Sequence, residues 1–293
     1  MKLRSLCAAV LLLAICSCGK QEEKALVDSP TTGSFELAAD EAIRPVIDSL
    51  VAAFNAQYTD AKVTVRYMNA TAALDAMLQS KARLALIGRP LTPKERTSLA
   101  SQKVELPEYE IALNPLAAIV KKENALTSLS LGMLREDISG SKEHYRKVMT
   151  DNLSSVESIL DSLFLSDTGS VKGNAARFST TDSVITKVMA DDGAVGFVSW
   201  CWLKNNPGLK ALDIAIPDST NKSGEKNIML HLAYVYQNLY PLVSRVCAYT
   251  QEPPNSLPRG FLVYAMTAPG QKIFFDNNML PRTQIIKIIP PVE

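Results

Sequence analysis

From Gly33 onward the chain alternates short β-like runs with stretches whose apolar residues recur at helical spacing. That alternation is the tightest constraint on the fold. Strands separated by helices pair through crossover connections, which favours an α/β fold with a mainly parallel sheet covered by helices. Residues 34–37 read as a strand. Ile43, Val46, Ile47, Leu50, Val51 and Phe54 then mark a helix, with Asp40 as a possible N-cap and Pro45 disturbing the first turn. Residues 62–68 alternate as a strand, Leu74, Met77 and Leu78 mark a second helix, and residues 84–87 form a short buried strand. Thr92-Pro93-Lys94-Glu95 then combines a hydroxyl cap, proline at the first helical position and glutamate at the third, the signature of a helix start.

The second half repeats the style without repeating the sequence. Residues 116–120 read as a buried strand, Leu131, Leu134 and Ile138 as a short helix closed by Gly140, and Val156, Ile159, Leu160 and Leu163 as another helix face. Residues 166–174 are a polar loop by composition. A helix around Val184, Ile185 and Val188 leads into a glycine-bearing strand at 194–198. Residues 204–208 and 218–226 read as exposed loops. The chain closes with β-like runs at 232–236 and 246–249 and helical patterns near 261–265 and 273–274. About 260 residues from Gly33 can bury a sizeable core and suggest two lobes.

Ahead of that body, Lys2 and Arg4 precede an apolar run from 6 to 15, and Ile15-Cys16-Ser17-Cys18-Gly19 follows. This segment resembles a bacterial lipoprotein signal. Residues 1–17 are read as the signal peptide, Cys18 as the lipidated first residue of the mature chain, and residues 18–32 as a lipidated polar tether. The apolar run is too short for a spanning helix, which needs roughly 20 apolar residues. Losing Lys2 and Arg4 from 31 basic residues leaves 29 against 30 acidic, a balance that gives no support to a charge-driven role on nucleic acid. Cys7 and Cys16 leave with the signal, so Cys201 and Cys247 persist beside the modified Cys18 and could pair in an oxidising compartment.

Three pieces of sequence carry a resemblance: Ala85-Leu86-Ile87-Gly88-Arg89-Pro90-Leu91, then Gly193-Ala194-Val195-Gly196-Phe197-Val198-Ser199, then Tyr240-Pro241-Leu242-Val243-Ser244-Arg245. Gly260-Phe261 and Ala268-Pro269-Gly270-Gln271-Lys272 follow the third. By their order and spacing, residues 46–91, 116–140, 193–199 and 240–281 resemble the substrate-binding proteins of bacterial phosphate ABC transporters, the PstS-like family. The resemblance implies a type II periplasmic-binding fold, two α/β lobes joined by two crossover strands with a ligand cleft between them. It places residues 33–114 with 232–293 in lobe 1 and residues 115–231 in lobe 2, with crossings near 114–120 and 231–236.

An anion site has its own physical logic. A helix N-terminus presents unpaired amides and about half a positive charge, so several such ends converging from two lobes can hold one oxyanion. Candidate ends are Ala38-Ala39-Asp40, Asn69-Ala70-Thr71, Gly88-Arg89 and Asp151-Asn152-Leu153-Ser154-Ser155. The resemblance puts the family's ligand-binding loops at these points, with Thr71 at a hydroxyl position and Ser154 and Ser155 at its Ser-Gly-Thr turn. The candidate ligand set is therefore Asp40, Asn69, Thr71, Arg89, Asn152, Ser154 and Ser155. Each has a plainer alternative. Ser154 with Glu157 fits a capping box, Asn69 and Thr71 fit capping or turn positions, Arg89 fits a surface charge, and Asp40 fits a cap. As a carboxylate, Asp40 would suit only a ligand oxygen bearing a proton.

Three polar positions usual in the family differ. The expected acidic residue falls near Arg83, the second-lobe arginine near Met149, and the first hydroxyl turn reads Ala38-Ala39. A buried dianion needs charge-assisted donors, for which Arg146 or Lys147 could compensate. Enzyme readings find little. His144 and His231 are isolated from any Cys/His/carboxylate cluster with metal spacing. Ser139-Gly140-Ser141-Lys142 fits S-x-x-K without the S-D-N or K-T-G partners of penicillin-recognising enzymes. Tyr240, Tyr249, Tyr264, Phe261 and Phe274 could form a sugar platform, but their spacing suits core positions better.

The sequence thus leads to a non-catalytic, lipid-anchored solute-binding protein without cofactor or metal. Phosphate is the foremost ligand and the membrane subunits of an ABC permease are the partners, with the bilayer reached through Cys18. The expected location is the cell envelope, on the periplasmic face of the inner membrane or on the outer membrane, and a monomer is the default. The alternative keeps the scaffold as an interaction or assembly lipoprotein with a degenerate anion pocket.

Overall fold

Strand β1 (Gly33–Asp40) buries Leu37, Ala38, Ala39 and Asp40 and turns through one 3-10 turn, Glu41–Ile43, into helix α1 (Arg44–Gln57). The Asp40 carboxylate caps that turn by accepting from the Ala42 amide, and Pro45 sits in the first helical turn, where no amide partner is required. Helix α1 buries Val46, Ile47, Leu50, Val51 and Phe54 along one stripe. Phe54 meets Phe261 and Tyr264 edge-on at ring separations of 5.1 Å and 5.4 Å. A large apolar side chain buried this fully contributes about 1.5–3 kcal/mol.

The computed structural model describes residues 28–142, 144, 147–151, 154–164 and 176–283. The expected signal, Cys18 lipidation, Asn152, Arg146 and the 166–174 loop lie outside the described residues. After α1 come β2 (Ala61–Met68), α2 (Ala70–Leu78), β3 (Leu84–Ile87), α3 (Pro93–Ser101) and the long β4 (Tyr109–Lys121). The capping box of α3 forms with both bonds. Thr92 Oγ1 accepts from the Glu95 amide at 3.2 Å, and the Glu95 carboxylate accepts from the Thr92 amide at 2.7 Å. Then follow β5 (Ser128–Ser130) and α4 (Leu131–Ser139), which ends at Gly140 in the left-handed region, φ 75°.

The chain continues through β6 (Lys147–Asp151), α5 (Ser155–Phe164), β7 (Ala176–Phe178), α6 (Thr181–Ala190) and β8 (Ala194–Ser199). A 3-10 helix, Trp200–Asn205, precedes β9 (Leu209–Ala211), β10 (Asp213–Pro217) and β11 (Glu225–Ile228). The crossing strand expected at 231–236 is instead the short helix α7 (Leu232–Tyr236). His231 Nδ1 accepts from the Ala233 amide and caps it, which turns the chain helical where its apolar residues suggested a strand. Strand β12 (Val243–Tyr249), α8 (Leu257–Met266), α9 (Ala268–Asp276) and β13 (Leu280–Pro281) complete the order.

The main sheet runs β2-β1-β3-β12-β4-β8-β6-β7, with β9 and β13 also pairing to β4, and a small sheet runs β11-β10-β5. Strands β1, β2 and β3 are parallel, as are β6, β7 and β8, while β12 and β4 run antiparallel to their main-sheet neighbours. Strand β4 serves both groups. Up to Pro115 it pairs with β12, and from Leu116 it pairs with β8. The strand-to-helix turns after β1 and β3 open at the carboxyl ends of those parallel strands, where open α/β sheets place their sites.

Two residues of the expected tether, Asp28 and Pro30, contact the body. Asp28 accepts from the Leu257 amide at 3.2 Å and pairs with Arg83, and Pro30 lies so close to Gly260 that a Cβ there would meet the Pro30 carbonyl oxygen at 1.9 Å. Cys201 and Cys247 do not pair: both are free and buried, and burial pushes each thiol up to about 12. Tyr240, Tyr249, Tyr264, Phe261 and Phe274 are buried in the core, so they form no stacking platform. Among the described residues no helix is long and apolar enough to cross a membrane.

Candidate functional site

The turns after β1 and β3 meet the start of α5. Asp40, fully buried, accepts from the Ala42 amide through Oδ1 at 3.2 Å and from the Gly88 amide through Oδ2 at 3.1 Å. A Cβ on Gly88 would meet Ser155 Oγ at 2.6 Å and Ile43 Cγ2 at 3.1 Å, so this glycine is where α5 closes on the turn after β3. Burial raises the Asp40 carboxyl above the usual carboxylate range. The Ser155 hydroxyl, the Gly88 and Ala42 amides and the charge of Arg89 oppose that rise without cancelling it. The Ser155 hydroxyl is near enough to Asp40 to influence it, yet its geometry completes no hydrogen bond.

Arg89 is buried, not the surface charge that its place beside a proline turn also suggested. Its two terminal nitrogens donate to the two Glu95 oxygens at 2.7 Å each, Nη2 donates to Thr71 Oγ1 at 3.0 Å, and Nη1 to the Pro90 carbonyl at 3.0 Å. Burial works to raise the Glu95 carboxyl, but the guanidinium and the Thr92 donors outweigh it and hold the group below its ordinary value. Arg83 lies at the other end of β3, paired with Glu252 and Asp28, outside this site.

The remaining predicted residues divide. Asn69 caps α2, its Oδ1 accepting from the Ala72 amide at 2.8 Å. Ser154 caps α5, its Oγ accepting from the Val156 and Glu157 amides at 3.1 Å and 3.3 Å. Thr71 joins the cluster through Arg89, and Ser155 joins it through Gly88. Asp40, Thr71, Arg89 and Ser155 are therefore brought together, while Asn69 and Ser154 serve the ends of their own helices. The amides that made these ends attractive for an anion are largely engaged by Asp40, Asn69 and Ser154.

Sequence reasoning missed several contacts here. Glu41 reaches α6, its Oε2 accepting from the Thr181 amide at 3.0 Å and the Thr181 hydroxyl at 2.9 Å, and burial raises its carboxyl too. Asn114, on β4, accepts from the Ser199 hydroxyl at 2.6 Å. Ser199 Oγ lies 3.3 Å from Cys201 Sγ, and the Trp202 indole N–H donates to the Ala42 carbonyl at 2.8 Å. The segment after β8 is thereby tied to the turn after β1. Four buried side-chain atoms at this junction have no hydrogen-bond partner among the described residues: Arg89 Nε, Asn114 Nδ2, Ser155 Oγ and Glu41 Oε1.

The hydrolase motif dissolves. The Ser139 hydroxyl donates to the Glu136 carbonyl at 3.0 Å and Lys142 pairs with Glu136 at 3.4 Å, so the lysine does not activate the serine. His144 Nε2 also meets Glu136, at 2.5 Å. Among the described residues no group of three His, Cys, Asp or Glu side chains is placed to hold a metal ion.

A family model described as a PBP superfamily domain matches residues 27–269. No curated protein matches the chain in sequence. A Clostridium perfringens structure assigned as a phosphate ABC transporter substrate-binding protein with bound phosphate is 15% identical. It has a TM-score of 0.73, over 85% of this chain and 100% of that one. An ABC-type phosphate transport receptor from Vibrio cholerae is 17% identical, with a TM-score of 0.62, over 85% and 100% of the two chains. The regulatory domain of Synechocystis PCC6803 CcmR in complex with 2-PG is 15% identical, with a TM-score of 0.55, over 80% and 95%. At these identities the likeness shows the fold alone. That fold is the type II periplasmic-binding fold, mixed α/β with a curled sheet.

Proposed function

Because the chain belongs to the PBP superfamily, we propose that it is a lipid-anchored solute-binding protein that captures a small oxyanion, phosphate foremost, for an ABC-type permease. The observation that carries this reading is the gathering of Asp40, Thr71, Arg89 and Ser155 from separate elements around buried side-chain donors that lack a partner. A dry donor costs about 1–3 kcal/mol, and an oxyanion supplies the acceptors that remove this cost. Residues 33–114 with 232–293 and residues 115–231 form the two lobes in this reading. The exchange of partners along β4 at Pro115 and Leu116 supports that division. Function requires no covalent step. Ligand binding offsets the cost of closing the lobes, and the closed form is what the permease recognises. The lipidated Cys18 holds a monomer at the cell envelope, on the inner or the outer membrane.

Calorimetry of the mature chain with phosphate, sulfate and molybdate tests the ligand class. Saturable heat with phosphate is expected, and no heat with any of the three overturns the reading. Replacing Cys18→Ser should move the protein from the membrane to the soluble fraction. Retention in the membrane would remove the lipid anchor from the proposal.

One observation favours a second reading, an interaction or assembly lipoprotein with a degenerate anion pocket. Both terminal nitrogens of Arg89 are committed to Glu95, and the junction also holds the carboxyls of Asp40 and Glu41. This reading predicts silence in the same titrations together with co-purification of a stable partner, and micromolar phosphate binding would sink it.

A further inference from the structure

We propose that Asn114 is a ligand-binding residue that donates its side-chain amide to the captured oxyanion, with Ser199 as the positioning residue that fixes how the amide points. The proposal rests on the oxyanion reading and deepens it by naming a donor outside the strand-to-helix turns.

Asn114 is fully buried on β4, one residue before Pro115, where the strand changes partner from β12 to β8. Its neighbours Leu116, Ala117, Ala118, Ile119 and Val120 are apolar and fully buried, so packing alone would call for an apolar side chain here. An amide carries two N–H donors and one carbonyl oxygen. The oxygen is used, accepting the Ser199 hydroxyl at 2.6 Å, whereas Nδ2 has no partner. In this arrangement the Ser199 hydroxyl donates to the amide oxygen and leaves both N–H groups for another acceptor.

Ser199, which holds the amide oxygen, ties Asn114 to the junction already described. Ser199 Oγ contacts Cys201 Sγ at 3.3 Å, and the Cys201 thiol feels the Asp40 charge. One residue on, the Trp202 indole binds the carbonyl of Ala42, in the turn that Asp40 caps. Arg89 Nε and Ser155 Oγ are the other two unpartnered buried groups able to donate at this junction, and they come from the turn after β3 and the start of α5. Donors from three separate elements fit an acceptor-rich guest such as a tetrahedral oxyanion. The contribution from β4 has a further consequence. A ligand held by the strand shared between both groups of strands, as well as by turns on either side, senses whether those turns have closed.

The test is calorimetric titration of the intact mature chain, in detergent, with inorganic phosphate, sulfate and molybdate. Asn114→Asp keeps the shape and the acceptor for Ser199 but replaces the donor, and phosphate affinity should fall by about tenfold or more, as expected for a lost hydrogen bond to a charged group. Ser199→Ala, which frees the amide to turn, should weaken binding less. A thermal midpoint recorded for each variant separates loss of fold from loss of contact. In the unmutated chain, the Asn114 side-chain amide protons should shift in nuclear magnetic resonance spectra when phosphate is added, a readout that needs no variant. Phosphate binding by the wild type with unchanged affinity in folded Asn114→Asp, or with unmoved Asn114 amide signals, overturns the role of Asn114 alone. A wild type that binds none of the three anions overturns the oxyanion reading and this role with it.

Discussion

Glu95→Gln probes the most strongly bonded ion pair of the junction while leaving its shape intact. In the wild type both oxygens of Glu95 accept from Arg89 at 2.7 Å, and one of them also accepts the Thr92 amide of the capping box at 2.7 Å. Glutamine keeps one acceptor, replaces the other with a donor facing the guanidinium, and removes the charge that neutralises a buried arginine. Breaking one side of a buried pair costs about 3–5 kcal/mol. The retained acceptor puts this variant near the lower end, about 3 kcal/mol, which for a body of this size lowers the thermal midpoint by about 6–12 °C. The pH dependence has a definite sign. The folded-state pKa of Glu95 lies below its unfolded value, so its stabilisation is present above the unfolded value and is lost as pH falls through the folded one. Thermal melts followed by circular dichroism should show a large gap between wild type and variant at pH 7 that narrows in acid. A gap below about 1 kcal/mol at pH 7, or one that does not narrow in acid, would refute the account of Arg89 as held chiefly by this carboxylate.

Other perturbations test neighbouring contacts. Gly88→Ala places a Cβ 2.6 Å from Ser155 Oγ and should cost about 1–3 kcal/mol by overpacking, with weakened phosphate binding; a variant as stable and as tight-binding as the wild type would show that α5 does not close on this turn. Gly260→Ala drives a Cβ into the Pro30 carbonyl and should expose residues 28–32 to limited proteolysis, whereas an unchanged digestion pattern would mean that this segment is not held by the body. Cys201 and Cys247, buried with thiols raised to about 12, should resist an aqueous thiol reagent in the native state and react on unfolding; native reaction at either would contradict their burial.

Much of the fold was legible because its signals are local. The stripe of α1, the alternation in β2, the capping box of α3 and the glycine stop of α4 each follow from neighbours in sequence. What failed was either locally ambiguous or non-local. A short apolar run such as 232–236 has no periodicity that separates strand from helix, and the deciding factor was a histidine cap at its start. The antiparallel insertion of β12 between β3 and β4 was equally invisible, because it depends on the last part of the chain returning to a sheet begun far earlier. The docking of Asp28 and Pro30 against α8 depends on a similar return, whereas composition alone read those residues as spacer.

The site divides along the same line, and the division bears on what the junction can recognise. A helix end is readable from sequence, but whether its amides remain free is not, because the same amide that would greet an anion can be met by the chain's own side chains. Here Asp40 takes the Ala42 and Gly88 amides, Ser154 takes those of Val156 and Glu157, and Glu41 takes that of Thr181 from across the fold. Two of these partners are carboxyls raised by burial, so ionising them as pH climbs through their folded-state values removes stability from the arrangement. With those amides engaged, the proposed recognition of an oxyanion would rest on the side-chain groups that have no partner among the described residues, Arg89 Nε, Ser155 Oγ and Asn114 Nδ2. Affinity in such a site depends on how rigidly those few groups are held, which is why the Glu95 brace on Arg89 and the Ser199 brace on Asn114 should matter as much as the donors themselves.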